Sequence, residues 1–393
     1  MTKAIMALNA GSSSLKAALF SLDDDQALAN CLVDRIGPNG VFNIKLSDGT
    51  RYQIENLNLE SHVFAMKAVI NQLNEIWKDL DLIAIGHRVV HGGDFYSRSV
   101  IVSNDVIKNL ESLSPFAPLH QPHNLEGIEI AIQLFPDITQ VACFDTAFHR
   151  NHPWVNDTFA LPRAFYDEGI RRYGFHGLSY QYIANELRVH SPYLCEGKVV
   201  VAHLGNGASM CAMQNGRSVA STMGFSALDG LPMGTRCGQL DPGVLLYLLD
   251  QRGMTAAEIT DLLYKKSGLL GLSEISNDMR TLEQSEADSA KEAIDYFIFR
   301  CQREVGAMAA ALGGIDALVF CGGIGENSRL VRSRICERLG WMGIEIDYTK
   351  NQKNSQIIST DLARTTVMVL PTNEEQVILR DIRSLIASQG AIT

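Results

Sequence analysis

Three glycine-rich turns carry the first residues that could do chemistry. They span residues 11–14, 205–207 and 322–325, and each follows a short apolar run. Glycine lets backbone N–H groups approach a phosphate closely, and consecutive N–H groups form a concavity that binds anions. One such turn alone is typical of an ordinary hairpin, but three in one chain favour a phosphate ligand. The first turn lacks the P-loop spacing, and the third lacks the last glycine of a dinucleotide-binding fingerprint.

Two arginines and two carboxylates could act beside such turns. Arg88 lies in GHRVVHGG and Arg236 in MGTRCGQLDP, both flanked by glycine. Each on its own is typical of a loop salt bridge, whereas two guanidinium forks together can clamp a carboxylate and a phosphoryl group. Asp145 is either a buried cap or a site carboxylate. Glu374 either favours a helix N-terminus or holds Mg²⁺.

Histidines raise the alternative of a metal hydrolase. Most of the ten lie in the middle of the chain, in pairs such as HRVVH, HQPH and HRNH. The HRVVH pair lies on an apolar, strand-like segment, and neither an H-E-x-x-H motif nor a clear carboxylate triad accompanies it. Hydrogen-bonded structural roles are therefore favoured for most of these histidines.

The first two turns must each be positioned by a pair of strands. AIMALNA, GSSS and LKAALFSL are typical of strand, turn and strand, and VVVAHLGNGASMCAMQNGRSVAS repeats this design with an Asn-Gly hairpin. Strands alternate with helical patterns in both halves of the chain. The sequence therefore predicts an α/β protein, as a duplicated two-domain body with a cleft between the domains.

Later segments predict helices and their ends. The segment IDALVFCGGIGENS predicts a strand and a glycine turn, followed by a helix from about Arg329 to Leu339. In the last helix, Thr372 and Glu375 have the spacing of a capping box. Helical periodicity is strongest between residues 289 and 314, where apolar residues recur at positions Ile294, Phe297, Cys301, Val305 and Met308.

Composition limits the class of protein. The chain has 393 residues, enough for two or three domains, and a net charge of -10 with scattered basic residues, which argues against a nucleic-acid surface. The eight cysteines contain no C-x-x-C pair and favour buried free thiols. Neither a signal peptide nor an apolar stretch of membrane-spanning length is visible. We expect a cytoplasmic enzyme.

Ten ordered motifs resemble those of acetate kinases, in the acetate and sugar kinase/Hsp70/actin superfamily. The resemblance covers essentially the whole chain and implies a duplicated ribonuclease H-like, actin-like ATPase fold with an interdomain cleft. It implies an N-terminal domain of residues 1–146 plus 377–393, and a C-terminal domain of residues 147–376 with the nucleotide site and the interface of a homodimer. The motifs are NAGSSSLK, GHRVVHGG, APLHQPHN, FDTAFH, RRYGFHG, HLGNGAS, MGTRCGQLDP, SGLLGLSEISNDMR, GGIGENS and PTNEE.

The same resemblance implies site residues and ligands. It implies reversible, Mg²⁺-dependent phosphoryl transfer between ATP and acetate, giving acetyl phosphate and ADP, with Mn²⁺ as an alternative metal ion. The catalytic set would be Asp145, His176 and Arg236, and the metal-associated pair Asn9 and Glu374. The substrate set would be Arg88, Val90, Leu119, Phe175 and Ala227. The nucleotide set would be Ser12, Ser14, Lys16, His203, Leu204, Gly205, Asn206, Gly207, Asp278, Met279, Arg280, Gly323, Ile324, Gly325, Glu326 and Asn327.

Three departures from the family pattern concern selectivity. Met279 replaces a phenylalanine, Gln239 an aspartate and Ala227 a proline, and none removes a charged catalytic group. A propionate kinase of the same family is the nearest alternative. A sugar kinase is disfavoured because a hydroxyl substrate needs a base, and a non-catalytic binding module is disfavoured by the complete charged set. A carboxylate nucleophile is already ionised, since its pKa lies near ~4, so we expect positioning and electrostatic stabilisation to dominate.

Overall fold

A computed structural model describes residues 2–11, 14–37, 40–54 and 59–388. It divides into two compact units, Met1–Arg150 with Asn373–Thr393 and Asn151–Thr372. The expected domain boundaries, after residues 146 and 376, stay a prediction about folding domains. None of the helices in the described part of the chain has the length and apolar composition needed to cross a bilayer.

The first unit is built on an eight-stranded mixed sheet. β1 pairs antiparallel with β2 and parallel with β6, and β6 pairs parallel with β8. The strand order in the sheet is β5-β4-β3-β2-β1-β6-β8-β7. The strands are β1 (Thr2–Ala10), β2 (Ser14–Ser21), β3 (Ala27–Asp34), β4 (Val41–Leu46), β5 (Arg51–Ile54), β6 (Leu80–Val89), β7 (Val100–Ile101) and β8 (Thr139–Phe144).

Helices cover the apolar face of this sheet. The Ser61 side chain accepts a hydrogen bond from the backbone N–H of Phe64, which begins the first helix, and the buried Ala65, Val69 and Leu73 join the core formed with β1 to β4. A second cluster lies beside β6 and β8. The helices are α1 (His62–Ile76), α2 (Asn104–Ser112) and α3 (Gln121–Leu134), with 3₁₀ turns at Ser114–Phe116 and Ala147–His149.

The second unit contains a five-stranded sheet whose order is β11-β10-β9-β12-β13. β9, β10 and β11 pair antiparallel, whereas β9, β12 and β13 pair parallel. Most residues of β9, β10 and β12 are buried, as expected for strands covered on both faces. The strands are β9 (Lys198–Leu204), β10 (Ala208–Gln214), β11 (Arg217–Ser221), β12 (Ala317–Cys321) and β13 (Thr366–Val369).

The helices of this unit include the long periodic one, which is confirmed. Its five periodic apolar residues are all buried, and it ends at Gly313, whose φ of 68° is left-handed. The helices are α4 (Trp154–Asp157), α5 (Arg163–Asp167), α6 (Gly177–His190), α7 (Pro192–Glu196), α8 (Pro242–Asp250), α9 (Ala256–Lys265), α10 (Gly268–Ser273), α11 (Met279–Glu283), α12 (Asp288–Leu312), α13 (Gly322–Asn327), α14 (Arg329–Glu337) and α15 (Tyr348–Gln352), with a 3₁₀ turn at Gly340–Met342.

The chain then returns to the first unit with α16 (Glu374–Ser388), which packs on β1 and β6. The predicted capping box at its start is wrong. Asn373 provides the cap, since its side-chain oxygen accepts from the N–H of Gln376 at 3.0 Å. The hydroxyl of Thr372 donates instead to Ser179, at 2.8 Å. The Thr372 hydroxyl, which the local spacing assigned to a helix cap, is therefore bonded to a residue far away in the sequence.

The predicted turn at residues 322–325 is also wrong in part, because Gly322 begins the short helix α13. The Glu326 carboxylate accepts a hydrogen bond from the N–H of Gly322, at 2.9 Å, and so satisfies one donor of the first helical turn. This local contact stabilises the helix despite the weak helix propensity of its glycines. The expected helix from about residue 329 is confirmed as α14, which ends at Glu337.

Both sheets share one topology. β3-β2-β1-β6-β8 in the first sheet corresponds to β11-β10-β9-β12-β13 in the second, with three antiparallel strands followed by two strands parallel to the central one. The prediction of a duplicated α/β fold is confirmed. In open α/β sheets, ligands bind outside the carboxyl ends of the parallel strands. Those ends carry the predicted site residues in each unit.

Candidate active site

Arg88 and Asp145 form the centre of the site residues in the first unit. Arg88 is near the end of β6, and Asp145 follows β8, which is the parallel neighbour of β6. The Nε and Nη2 atoms of Arg88 donate to the two carboxylate oxygens of Asp145, at 3.1 and 2.8 Å. Asp145 is 2% exposed, so this bidentate pair is largely removed from solvent. Asp145 therefore fixes the plane and direction of the Arg88 guanidinium.

Glu374 completes this arrangement. Its Oε2 lies 3.1 Å from Nη1 of Arg88. Burial alone would lower the pKa of Arg88, but the negative charges of Asp145 and Glu374 outweigh it and raise the pKa above its usual value. Two of the five guanidinium N–H groups donate to Asp145, and Nη1 forms an ion pair with Glu374, so the terminal nitrogens still carry N–H groups that can donate to another ligand. The guanidinium can therefore hold a substrate anion in a fixed direction.

Asn9 and Lys16, predicted for the metal ion and the phosphates, lie on strands β1 and β2, and β1 is the neighbour of β6. Asn9 is on β1, one position beyond Leu8, which is in register with His87 on β6, so Asn9 adjoins the Arg88 position. Lys16 pairs with Asn9 across β1 and β2 and is exposed. The N–H of Gly11 donates to the backbone oxygen of Ser14 at 2.9 Å, which closes the turn. The predicted residue Ser12 lies outside the described residues.

A hard divalent cation fits the oxygen donors at this edge. Asn9 and Glu374 supply amide and carboxylate oxygens, which Mg²⁺ prefers. Among the described residues, no group of three or more histidine, cysteine, aspartate or glutamate side chains is arranged to hold a metal ion. Mg²⁺ usually keeps several waters and binds one or two carboxylates together with substrate phosphates, so this small donor set is suitable for it.

The residues predicted for the acyl group occur in both units. Val90 directly follows β6, and its N–H donates to the side chain of Asn124 at 3.0 Å. Leu119 precedes α3 and is half-buried. In the second unit, Phe175 is buried next to His176, and the backbone oxygen of Ala227 accepts from Arg236 at 3.2 Å. Their role in contacting a substrate stays a prediction.

His176 is the best-positioned titratable side chain of the second unit. It precedes α6 in a left-handed conformation, with φ at 57°, which few residues other than glycine adopt. Its Nδ1 lies 2.8 Å from the Ser209 hydroxyl, and its ring stacks on that of His203 with centroids 4.3 Å apart. The strained backbone and the two contacts together fix the ring.

The Nε2 edge of His176 and the Arg236 guanidinium face the same glycine. A Cβ atom added to Gly207 would lie 3.2 Å from Nε2 of His176 and 4.0 Å from Nη1 of Arg236. Gly207 belongs to the turn after β9, where the N–H of Gly205 donates to the Gly207 backbone oxygen at 3.0 Å. The position beside Gly207 is therefore bordered by an imidazole and a guanidinium. A phosphoryl oxygen there would meet both donors.

The loop that carries Arg236 docks directly on this turn. The N–H of Gly234 donates to the backbone oxygen of Asn206 at 3.0 Å. A Cβ atom at Gly234 would lie 2.1 Å from the Asn206 side-chain oxygen, so only glycine allows this approach. On the other side, the N–H of Leu269 donates to the Met233 oxygen at 2.8 Å. The position of Arg236 is thus coupled to the turn after β9.

A cavity of about 630 Å³ brings together most of the nucleotide residues predicted in the second unit. It is lined by Gly205 and Asn206 of the turn, by Asp278–Arg280, and by Gly323, Ile324 and Asn327 of α13. Sequence reasoning missed three further lining residues, Asn277, Glu283 and Ser328. The volume lies in the range of known small-ligand sites.

Asp278 shapes one wall of this cavity. Its carboxylate accepts from the N–H of Arg280 at 2.8 Å and so caps α11. The guanidinium of Arg280 bonds the same carboxylate, which lowers the pKa of Asp278. Met279, which replaces the usual phenylalanine, is 2% exposed and lines the cavity. This wall is thus built by a local cap and a buried apolar side chain.

Two residues of the predicted segment 323–327 have structural contacts. Gly325 packs against the backbone of β9 and β12, and the Glu326 carboxylate accepts from the N–H groups of Gly322 and Thr372. Neither is among the residues lining the cavity. His203, Leu204 and Gly207 also lie outside that lining, at the end of β9 and in its turn.

Arg332 is a supporting residue that the sequence did not reveal. It is fully buried on α14, and its Nη1 donates to the backbone oxygens of Gly325 and Glu326 at 2.8 and 2.9 Å. It also bonds Asn351 and Asn354. Burial, together with the charge of Arg329, lowers the pKa of Arg332 to about 10. Arg332 therefore holds the carbonyl end of α13, whose other face lines the cavity.

The second unit thus combines a duplicated sheet topology, a cavity of small-ligand size and an arginine-histidine pair. Comparisons with known proteins specify the class further. The chain matches the acetokinase family over residues 4–380 and belongs to that family. It is 52% identical to the acetate kinase of Methylocella silvestris, with full coverage of both chains.

Solved structures agree with this assignment. The crystal structure of Porphyromonas gingivalis acetate kinase is 36% identical, with a TM-score of 0.89 over 98% of this chain and 100% of that one. A propionate kinase from Francisella tularensis is also 36% identical, with a TM-score of 0.91 over 96% of this chain and 98% of that one. The fold is therefore common to kinases of both acids.

Proposed function

We propose that this protein is an acetate kinase, which reversibly transfers the terminal phosphoryl group of ATP to acetate and forms acetyl phosphate and ADP. The observation that supports the proposal is that the His176 imidazole and the Arg236 guanidinium both face Gly207, in a turn whose neighbouring residues Gly205 and Asn206 line a cavity of about 630 Å³. Full-length identity of 52% to a curated acetate kinase supports the choice of acid.

The acceptor chemistry favours an acid over a sugar. A carboxylate is ionised near neutral pH, because its pKa lies near ~4, so it can attack phosphorus without a general base. We assign Arg88 to the acceptor carboxylate, since Asp145 and Glu374 orient its guanidinium and its terminal nitrogens keep N–H groups that can donate to a ligand. Asp145 then acts by orientation of Arg88.

The phosphoryl group would be stabilised by charge and hydrogen bonds. We assign Arg236 and the Nε2 edge of His176 to its oxygens, and Lys16, Ser12 and Ser14 to the nucleotide phosphates. The turn of residues 203–207 and the segments at 278–280 and 323–327 would bind the nucleotide, most of them through the cavity. Such donors act mainly on the charge that develops in the transition state.

Mg²⁺ completes the proposal, with Asn9 and Glu374 as the residues that would hold it and Mn²⁺ as a substitute. When bound, the ion would neutralise part of the phosphate charge. The two residues contribute oxygen donors at the carboxyl edge of the first sheet, and Lys16 adds a positive charge on the neighbouring strand.

Propionate is the second candidate substrate, because a propionate kinase shares the fold at a TM-score of 0.91. Val90, Leu119, Phe175 and Ala227 are the residues we assign to the acyl group. One methylene in an apolar pocket is worth about 1–3 kcal/mol, so discrimination between the acids should be modest. We expect acetate first, propionate second and butyrate poor.

We further propose a homodimer formed through α8. None of its residues is buried although its sequence is PGVLLYLLD, and Leu246, Tyr247 and Leu249 are 61%, 52% and 43% exposed. Several exposed apolar side chains on one helix are typical of an interface. Light scattering should give twice the 43.2 kDa of one chain, and Leu246→Glu should give monomer. Leu362→Glu, at a side chain that is 93% exposed in a loop, is the control.

A cytoplasmic location is also part of the proposal. All eight cysteines are free thiols, and seven of them are buried. Free thiols of this kind are typical of a reducing compartment.

The proposal is tested by trapping acyl phosphate with hydroxylamine. Purified protein, MgATP and hydroxylamine are incubated with acetate, propionate or butyrate, and with glycerol and glucose as controls. We expect hydroxamate to form with the acids and no ADP to be released with glycerol or glucose. ADP release that depends on a sugar, or no hydroxamate with any acid, would contradict the proposed function.

A further inference from the structure

The first turn of α3 carries two buried amide side chains, Gln121 and Asn124. They are three positions apart, so they lie on one face of the helix. Pro122 follows Gln121 and needs no partner for a backbone N–H, which suits proline to the first turn of a helix. The motif APLHQPHN therefore places two amides side by side at the start of a helix of the first unit.

Asn124 joins the ends of two neighbouring parallel strands. The paired register of β1 and β6 ends at Leu8 and His87. Beyond it, the side-chain oxygen of Asn124 accepts from the N–H of Val90 at 3.0 Å, and its side-chain nitrogen donates to the backbone oxygen of Ala10 at 3.0 Å. A backbone N–H can only donate and a carbonyl can only accept, so these partners fix the orientation of the amide. Asn124 thus bridges the two strands where their pairing stops.

Gln121 holds the next residue, His91, by both of its backbone groups. The side-chain oxygen of Gln121 accepts from the N–H of His91 at 3.2 Å, and its side-chain nitrogen donates to the His91 backbone oxygen at 3.0 Å. The same nitrogen also donates to the backbone oxygen of Leu110 on α2, at 3.3 Å. Gln121 is completely buried, so water does not compete for these bonds. It therefore ties the backbone of His91 to two helices.

Side chains therefore satisfy the backbone that follows β6. The N–H of Gly92 donates to the Thr146 hydroxyl at 2.9 Å. Together with those of Val90 and His91, three consecutive N–H groups are thus bonded to side chains. Buried backbone groups need such partners, and removal of one leaves an unpaired group at a cost in free energy. The course of residues 90–92 depends on the two amides of α3 and on Thr146.

We propose that Gln121 and Asn124 are positioning residues, which fix the acid segment, residues 90–92, relative to the metal segment, residues 9–10. The inference rests on the proposed function, in which Val90 contacts the acyl group and Asn9 the metal ion. Asn124 bonds both segments, because Ala10 directly follows Asn9. Gln121 bonds only the acid segment and α2. Loss of Asn124 should therefore affect both ligands, whereas loss of Gln121 should affect the acid.

The first measurement is independent of activity. Hydrogen exchange of the ligand-free protein is followed by mass spectrometry with single-residue resolution, and we expect slow exchange at the N–H groups of Val90 and His91 in the wild type. Asn124→Leu is close in size but makes neither hydrogen bond, so exchange at Val90 should become roughly 10-fold faster. Asn124→Asp keeps an oxygen that accepts from Val90 and should change this rate less. Fast exchange at Val90 in the wild type, or equal rates in wild type and Asn124→Leu, would overturn the inference.

The second measurement separates the two segments. Gln121→Leu should lower kcat/KM for acetate roughly 10- to 100-fold, because displacement of a positioned group by about 1 Å can have an effect of this size. The Kd for MgADP, measured by calorimetry, should stay within about threefold of the wild type in this variant. Asn124→Leu should lower kcat/KM for acetate by a similar factor and also raise the Kd for MgADP. If Asn124→Leu leaves both quantities unchanged, or if both variants raise the Kd for MgADP equally, the inference is wrong.

Gln140→Leu is the matched control for loss of a buried amide in the same unit. Gln140 is 5% exposed near the start of β8, where its side chain bonds the His87 ring and the backbone oxygen of Ile138. We expect this variant to lose stability but to keep wild-type kcat/KM and MgADP affinity, and an equal loss of activity here would overturn the inference. A wild type with slow exchange at Val90 and His91 but no phosphoryl transfer to any acid would refute the proposed function alone.

Discussion

A methyl group at Gly207 should block the reaction without disturbing the fold. The backbone of Gly207 does not lie in the left-handed region, so alanine introduces no dihedral strain. Its Cβ would lie 3.2 Å from Nε2 and 3.5 Å from Cε1 of His176. The His176 ring would have to withdraw by a few tenths of an ångström, and the methyl group would fill the space that faces Arg236.

The expected loss follows from the donors involved. Removing one preorganised donor to a developing anion costs about 3–4 kcal/mol, or roughly 10²- to 10³-fold in kcat. Gly207→Ala should therefore lower kcat by at least this factor in the hydroxamate assay. The Kd for ADP, measured by calorimetry, should change much less than kcat, because Gly205 and Asn206 are the residues of this turn that line the nucleotide cavity.

Gly306→Ala is the control for adding a methyl group. Gly306 lies inside α12, and a Cβ atom there would have no neighbour within 4 Å. This variant should keep wild-type kcat and gain up to about 1 kcal/mol of stability from better helix propensity. If Gly207→Ala retains kcat within about threefold of the wild type, the space beside Gly207 is not the phosphoryl site and the reasoning fails.

Three other predictions concern charge and stability. Arg236→Lys keeps the charge but loses the fork, so kcat should fall roughly 10²- to 10³-fold with little change in ADP affinity; unchanged kcat would make Arg236 a loop anchor only. Arg332→Met should lower the free energy of unfolding in urea by about 3–5 kcal/mol and weaken ADP binding, because it leaves buried carbonyl groups unpaired. Arg329→Met, at an exposed side chain, is the control and should have neither effect. Burial lowers the pKa of His87 to about 4, although its hydrogen bond with Gln140 acts to raise it. The unfolded state therefore binds an extra proton between about pH 6.5 and pH 4, so the free energy of unfolding should fall by about 3 kcal/mol as the pH is lowered through that range. His87→Gln should make this pH dependence weaker, and an equal slope in the variant would contradict the prediction.

Local patterns predicted the elements that position the site. Alternation and turn residues predicted the paired strands around residues 11–14 and 205–207, and helical periodicity predicted α12. These predictions are correct because each depends only on residues that are close together along the chain. The positions of Asp145 and Arg88 could also be predicted from the sequence, since each residue comes at the end of an apolar strand.

Contacts between distant segments could not be predicted in this way. Tyr180 and Ser209 are 29 residues apart and Thr372 and Ser179 are 193 apart, so no spacing rule connects them. Thr372 had the spacing of a helix cap, yet its hydroxyl bonds Ser179. Arg332 was not singled out from the sequence, because only the packing of α14 reveals that it is buried.

Stereochemistry at phosphorus tests the central claim of direct transfer between ATP and acetate most directly. The protein is supplied with acetate and ATP analogues that carry a chiral thiophosphoryl group labelled with ¹⁸O. We predict inversion of configuration, because the acceptor carboxylate itself attacks and neither Asp145 nor His176 is needed as a nucleophile. Retention of configuration, or an isolable phosphorylated residue that passes its phosphoryl group to acetate, would contradict the account.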